Sequence, residues 1–150
     1  MSKGKIIIWV DASYNQYGAS TWGACYICPN TGKEQLIRGV TVSAKNSTHA
    51  EMAGVFEASM TLNGLFPEGQ VEVRMDCKSL VDCYMEPEKH KAKNLHICRI
   101  ISKLKREFKE RLTLKHVKGH CHPKDRSLDA TNNRKVHYLA LGLLREQIPA

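Results

Sequence analysis

The sequence predicts an α/β fold of five strands and four helices, in a single domain spanning residues 1–150. Three observations predict it. Ile6, Ile7, Ile8, Trp9 and Val10 are apolar without alternation, the pattern of a strand covered on both faces at the centre of a sheet. Two strand-like segments follow, joined by Pro29-Asn30-Thr31-Gly32, a turn composition with glycine for the left-handed position. Beyond them, segments of helical period alternate with short strands, giving the order β-β-β-α-β-α-α-β-α.

Each element has its own warrant. The first strand covers 5–12, with Asp11 at its carboxyl end, and strands over 21–28 and 34–43 continue it as an antiparallel meander. A helix over 48–65 carries Met52, Val55, Phe56, Ser59 and Met60 on one stripe and breaks at Pro67-Glu68-Gly69. A short strand over 71–75 ends at Asp76. A helix over 78–85 stops before Pro87, and a longer one over 93–112 buries Ile97, Ile101, Leu104 and Phe108 while presenting a basic outer face. A fifth strand over 113–117 leads into a polar loop over 118–132. A last helix then carries Val136, Leu139, Ala140 and Leu143.

Composition narrows the function classes. With 42% hydrophobic and 25% charged residues the chain is neither disordered nor collagen-like nor a coiled coil. Its longest apolar run, 6–10, is far below the roughly 20 residues of a membrane span or the roughly 7–15 of a signal-peptide core, so a cytoplasmic, monomeric protein is expected, with no membrane partner. The 23 Lys and Arg against 15 Asp and Glu give +8, which points to an acidic partner such as nucleic acid. The charge is uneven, since residues 89–118 hold eleven basic residues and two acidic ones. The six cysteines are expected as free thiols in a reducing compartment. Cys25-x-x-Cys28 could form half of a zinc site with His120 and His122, but in a strand the two side chains point to opposite faces, and buried thiols fit better.

Asp11 and Asp76 each end an apolar strand, and ligands gather at the carboxyl ends of strands in open α/β sheets. If those strands are adjacent and parallel, the two carboxylates lie side by side, an arrangement that a cation relieves. Glu51, in the first turn of the helix over 48–65, is the third candidate. Alternatives stand beside each: Thr48-His49-Ala50-Glu51 also fits a capping box, and either aspartate could simply close its strand.

The residues around these carboxylates carry a resemblance. Asp11-Ala12-Ser13 after a hydrophobic strand, His49-Ala50-Glu51-Met52 opening a helix, Met75-Asp76-Cys77-Lys78-Ser79-Leu80-Val81, and Val117-Lys118-Gly119-His120 followed by Asn133 and Leu139-Ala140 together resemble ribonuclease H of type 1. The likeness spans nearly the whole chain and implies a ribonuclease H-like five-stranded mixed sheet of order 3-2-1-4-5. It implies a metal-dependent endonuclease that cleaves the RNA strand of an RNA/DNA hybrid, using two divalent ions, Mg²⁺ or Mn²⁺, held by four carboxylates. By motif, Asp11, Glu51 and Asp76 would be catalytic and metal-binding, and His120 would assist proton movement and product release. His122, two residues on, could substitute for it.

The fourth carboxylate is where the chain departs from the family pattern. His137 stands where that pattern has aspartate, a nitrogen ligand more acceptable to Mn²⁺ than to Mg²⁺. Asp129, in the long loop before Asn133, is the alternative, and an exposed histidine with no role is the third reading. For substrate, the resemblance implies phosphate contacts from Ser13, Asn46, Ser47 and Thr48, the last two of which could equally be helix caps. Lys89, Lys91, Lys93, Lys103, Lys105 and Arg106 would add salt-sensitive phosphate contacts. Because this basic stretch is short and lacks tryptophan, a looser grip than a full basic protrusion is expected, with RNA told from DNA by 2′-hydroxyl contacts. The length predicts a standalone domain. The competing reading keeps the fold as a catalytically weakened hybrid or double-stranded RNA binding module. A further one keeps the metals but takes another nucleic-acid substrate.

Overall fold

The computed structural model describes residues 4–15, 17–41, 44–119 and 121–147. The chain runs β1 (Lys5–Tyr14), β2 (Ser20–Ile27), β3 (Glu34–Thr41), α1 (Ser47–Leu65), β4 (Gln70–Met75), α2 (Lys78–Met85), α3 (Leu95–Phe108), β5 (Leu112–His116) and α4 (Leu128–Glu146). The strands form one sheet in the order β3-β2-β1-β4-β5. β1 pairs antiparallel with β2 and parallel with β4.

The unbroken apolar run places β1 at the centre because both of its faces are covered. Ile6, Ile8 and Val10 pack into the main core with Met52, Val55 and Leu62 of α1, Leu80 of α2 and Leu104 and Phe108 of α3. Trp9 and Ile7 face the other way, onto Cys25 and Val136 under α4. Three helices therefore lie on one side of the sheet and one on the other. By this alternation Asp11 emerges on the α4 side, and the even-numbered residues of β4 share that face. On the opposite side α1 approaches closely enough that a Cβ on Gly54 would sit 2.8 Å from the Cβ of Trp22.

Several expected boundaries move. α1 is buried around most of its circumference, through Ala50, Ala53, Gly54 and Ala58 as well as the apolar stripe, since it is wedged between the sheet and α3; Phe56 and Met60 lie on its half-buried flank. α3 ends at Phe108, not 112, because Lys109 takes φ 56° and the Arg111 N–H bonds to the Phe108 carbonyl, reversing the chain into β5. The loop expected over 118–132 is shorter. Ser127 accepts from the Ala130 N–H and caps α4, which puts Asp129, Asn132 and Asn133 inside the helix. Residues 42 and 43 of the third expected strand lie outside the described residues.

Candidate metal centre

The β1 and β4 strands are parallel neighbours in the register Trp9 to Arg74, so Asp11 and Asp76, two residues beyond that pair, come level at the carboxyl end of the sheet. Glu51 arrives from α1. The helix begins earlier than expected, capped by Asn46, whose side chain accepts from the His49 N–H at 2.8 Å, and its first turn holds no acidic residue. Glu51 therefore belongs to the second turn and closes no capping box. Its Oε1 accepts instead from the Ala12 N–H of β1 at 3.2 Å, across the top of the core.

The three carboxylates each offer an oxygen within 4.8 Å of the others, and among the described residues no other such group of acidic, histidine or cysteine side chains exists. Asp11 is only 4% exposed. Glu51 Oε2 is buried with no hydrogen-bond partner. Burial, then the charges of Asp11 and Asp76, drives the Glu51 carboxyl well above the ordinary carboxylate range. Asp11 is also raised, by burial first and by Asp76 second, against the lowering effect of Glu51 and His137. A proton is a poor occupant for such a place. Three converging acids with an unsatisfied buried oxygen fit a hard divalent cation.

His137 joins the cluster through Asp11. Two and a half turns into α4, its Nδ1 lies 2.9 Å from Asp11 Oδ2, and its ring meets Tyr138 edge-on at 5.4 Å. Asp129 does not compete for this place. Its Oδ1 accepts from Trp9 Nε1 at 2.9 Å and from Arg74 Nη1 at 2.8 Å, which ties the start of α4 to the sheet. Gly119, after β5, is required at the rim: a Cβ there would stand 2.8 Å from Asp76 Oδ2.

The carboxylates open into a cleft of about 500 Å³ whose α4 wall is formed by Asn133, Arg134, His137 and Tyr138. Asn133 stood in the resemblance motif, whereas Arg134 and Tyr138 were not singled out from the sequence. Positions 133 and 134, four and three before His137, fall on its side of a helix. The Arg134 guanidinium donates to the Asp125 carbonyl, holding the loop before α4 against the cleft.

The remaining expected residues are dispersed. Ser13 is half-buried near the end of β1, Asn46 is an exposed cap, and Ser47 and Thr48 open α1. Lys89, Lys91 and Lys93 are exposed between α2 and α3, and Lys89 pairs with Glu86 at 3.4 Å. His120 lies outside the described residues. His122 is exposed and accepts from the Lys124 N–H. Cys25 packs under α4 while Cys28 packs against the opposite core, and all six thiols are free. Burial pushes the Cys25 thiol up to about 12, making it a poor metal ligand.

No family model matches the chain, and no curated protein matches it. Solved structures do. The ribonuclease H1 of the halophilic archaeon Halobacterium salinarum superposes with a TM-score of 0.71 at 14% identity, over 95% of this chain and 99% of its own. LC11-RNase H1, solved in complex with an RNA/DNA hybrid, gives 0.61 at 20% identity, over 93% and 99%. LC9-RNase H1, described as a type 1 enzyme with the type 2 active-site motif, gives 0.70 at 14%, over 99% and 75%. The fold is ribonuclease H-like, and no described helix is long and apolar enough to cross a membrane.

Proposed function

We propose that this chain with a ribonuclease H-like fold is a metal-dependent endoribonuclease that hydrolyses the RNA strand of RNA/DNA hybrids. The convergence of Asp11, Glu51 and Asp76 around a buried, unpartnered Glu51 oxygen carries the reading. Sequence identity of 14–22% to the solved neighbours leaves the activity to be argued from the site.

The three carboxylates would hold the divalent ions, with the imidazole of His137 where a fourth carboxylate would stand. Divalent ions held there would supply an activated water and charge stabilisation for the leaving oxygen. The protein's own groups do the rest. Asp11, with no freedom to turn away between Glu51 and His137, fixes the geometry of the site. His120 would move a proton to the leaving oxygen. Ser13, Asn46, Ser47 and Thr48 would contact backbone phosphate, and Lys89, Lys91 and Lys93 would add charge. The free thiols support a cytoplasmic, reducing setting, and a monomer suffices because all these groups lie in one chain.

One observation favours a second reading. An imidazole against Asp11, in place of a carboxylate, weakens the affinity for a second Mg²⁺ and could leave a hybrid-binding module with little catalysis. End-labelled RNA/DNA hybrid, single-stranded RNA and duplex DNA, incubated in Mg²⁺ and in Mn²⁺ with wild type and Asp11→Asn, separate the two. Hybrid-only cleavage lost in the variant is the expected result; hybrid binding without cleavage in either ion would establish the module instead.

A further inference from the structure

Of the described residues that line the carboxylate cleft, Arg134 alone carries a permanent positive charge. It stands on α4 one turn before His137, on the same side of the helix. Lys135, next in the chain, turns away and pairs with Glu34 of β3 at 2.7 Å. Arg134 forms no ion pair among the described residues. Its charge is felt by Asp125, but that carboxyl is held below its usual range first by the Ser127 N–H, which donates to its Oδ1 at 2.9 Å.

The guanidinium is held in place without being used up. One Nη2 hydrogen goes to the Asp125 carbonyl, Nε is buried with no partner, and no other bond is made among the described residues. A half-buried planar cation fixed at one corner is preorganised for an acceptor that brings negative charge and more than one oxygen. The cleft of about 500 Å³ has three acids at the sheet end, and none of them pairs with Arg134. His137, an imidazole, adds no negative charge on the α4 side. A cation held by the acids and a guanidinium on the α4 wall therefore leave between them a place for a phosphodiester, whose non-bridging oxygens can face both.

We propose that Arg134 binds a non-bridging oxygen of the phosphate being cleaved, a catalytic role that rests on the nuclease reading of the site. It supplies, from the α4 wall, positive charge that a histidine in place of a carboxylate is poorly suited to recruit as a second ion. In the reaction, water bonds its oxygen to phosphorus and gives up a proton, the bond from phosphorus to the leaving sugar oxygen breaks, and that oxygen takes up a proton. Arg134 exchanges none, because its guanidinium stays protonated throughout. Its contact strengthens as charge shifts among the phosphate oxygens, so its loss falls on kcat more than on KM.

The test compares Arg134→Gln and Arg134→Lys with Lys135→Gln, which removes the same charge one residue on. Circular dichroism verifies that all three fold. In steady-state cleavage of end-labelled hybrid in Mn²⁺, Arg134→Gln is expected to lower kcat by about 100–1000-fold, the cost of removing one preorganised donor, while Lys135→Gln stays near wild type. Arg134→Lys is expected to recover only part of the rate, since an ammonium keeps the charge and can reach the Asp125 carbonyl but lacks the fork. Two readouts need no turnover. Calorimetric titration with Mn²⁺ in the absence of hybrid should match wild type, and in the Asp11→Asn background the slope of log Kd for hybrid against log salt, from fluorescence anisotropy, should fall by about 0.9 in Arg134→Gln, one phosphate contact. An unchanged slope, a kcat for folded Arg134→Gln within about tenfold of wild type, or lost Mn²⁺ binding, which would make the residue a support of the metal site, overturns the assignment. If wild type cleaves hybrid in neither ion, the nuclease reading itself fails and the catalytic role of Arg134 with it, whatever the slope.

Discussion

Neutralising one carboxylate of the cluster should make the metal-free protein more stable. At 4.8 Å and an effective dielectric near 20, two carboxylates repel by about 3.5 kcal/mol, and Glu51 has two such neighbours. The penalty is capped because the group can hold a proton, at about 1.4 kcal/mol per unit of pH above its usual value near 4.3. Glu51→Gln removes the repulsion and the burial of a charge, while weakening the bond from the Ala12 N–H by about 1 kcal/mol. A net gain of about 2 kcal/mol at pH 8 in a chelator raises Tm by roughly 4–8 °C for a domain of this size.

The sign follows from the direction of the shift. Glu51 and Asp11 are raised in the folded state, so the folded protein binds more protons than the unfolded chain above about pH 4, and stability falls as pH rises from there toward the folded-state values. The advantage of the Gln variant should therefore shrink toward zero at pH 4. With divalent ion at a hundred times Kd, wild type should recover about 2.7 kcal/mol and the variant little of it. Differential scanning calorimetry at pH 4 and pH 8, with chelator and with Mn²⁺, measures all of this. A Gln variant less stable than wild type at pH 8 in chelator, or equally advantaged at both pH values, would refute the reasoning.

Four other outcomes are expected. Wild type should cleave hybrid faster in Mn²⁺ than in Mg²⁺, and His137→Asp should reverse that order; an unchanged preference in steady-state assays would remove His137 from the metal site. Gly119→Ala, whose Cβ would meet Asp76 Oδ2 at 2.8 Å, should displace that carboxylate and weaken Mn²⁺ binding by about 10–100-fold in calorimetric titration. Asp129→Asn should leave cleavage intact while lowering stability by about 1–3 kcal/mol in urea, because it weakens the bonds to Arg74 and Trp9; loss of activity in a folded variant would return Asp129 to the site. Lys109→Gly should raise Tm by roughly 2–4 °C, since φ 56° costs a side-chain-bearing residue about 1 kcal/mol that glycine does not incur.

What could be read in the sequence was what local pattern dictates. The unalternating run from Ile6 to Val10 required cover on both faces, which put β1 at the centre and Asp11, just past that run, toward the carboxyl end of the strand. Helical period located α1 to α4, although the ends of α3 and α4 shifted because they are set by single residues, Lys109 and Ser127, whose backbone geometry no periodicity encodes. The resemblance motifs added the strand order, which matches the observed sheet. The roles of the carboxylates were not decided at that level. Glu51 in a helix start reads equally as a cap, and only the position of Asn46 as the true cap and the reach of Glu51 to Ala12 separate the two.

Tertiary structure alone decided which distant charges meet. Asp129 and His137 are eight residues apart on one helix, and the sequence offered both for the same place. The path of α4 across the sheet turns the first toward Trp9 and Arg74 and the second toward Asp11, because Asp129 lies near the start of the helix and His137 over the end of β1. The same holds for the lysines, whose availability depends on whether Glu86 or the Tyr84 ring lies beneath them. Sequence fixes residue type and local period; the energy of a charge depends on neighbours 50 to 130 residues away, such as Asp129 to Arg74 and Asp11 to His137, at separations of 55 and 126 residues, and those neighbours exist only once the sheet and its helices have closed around them.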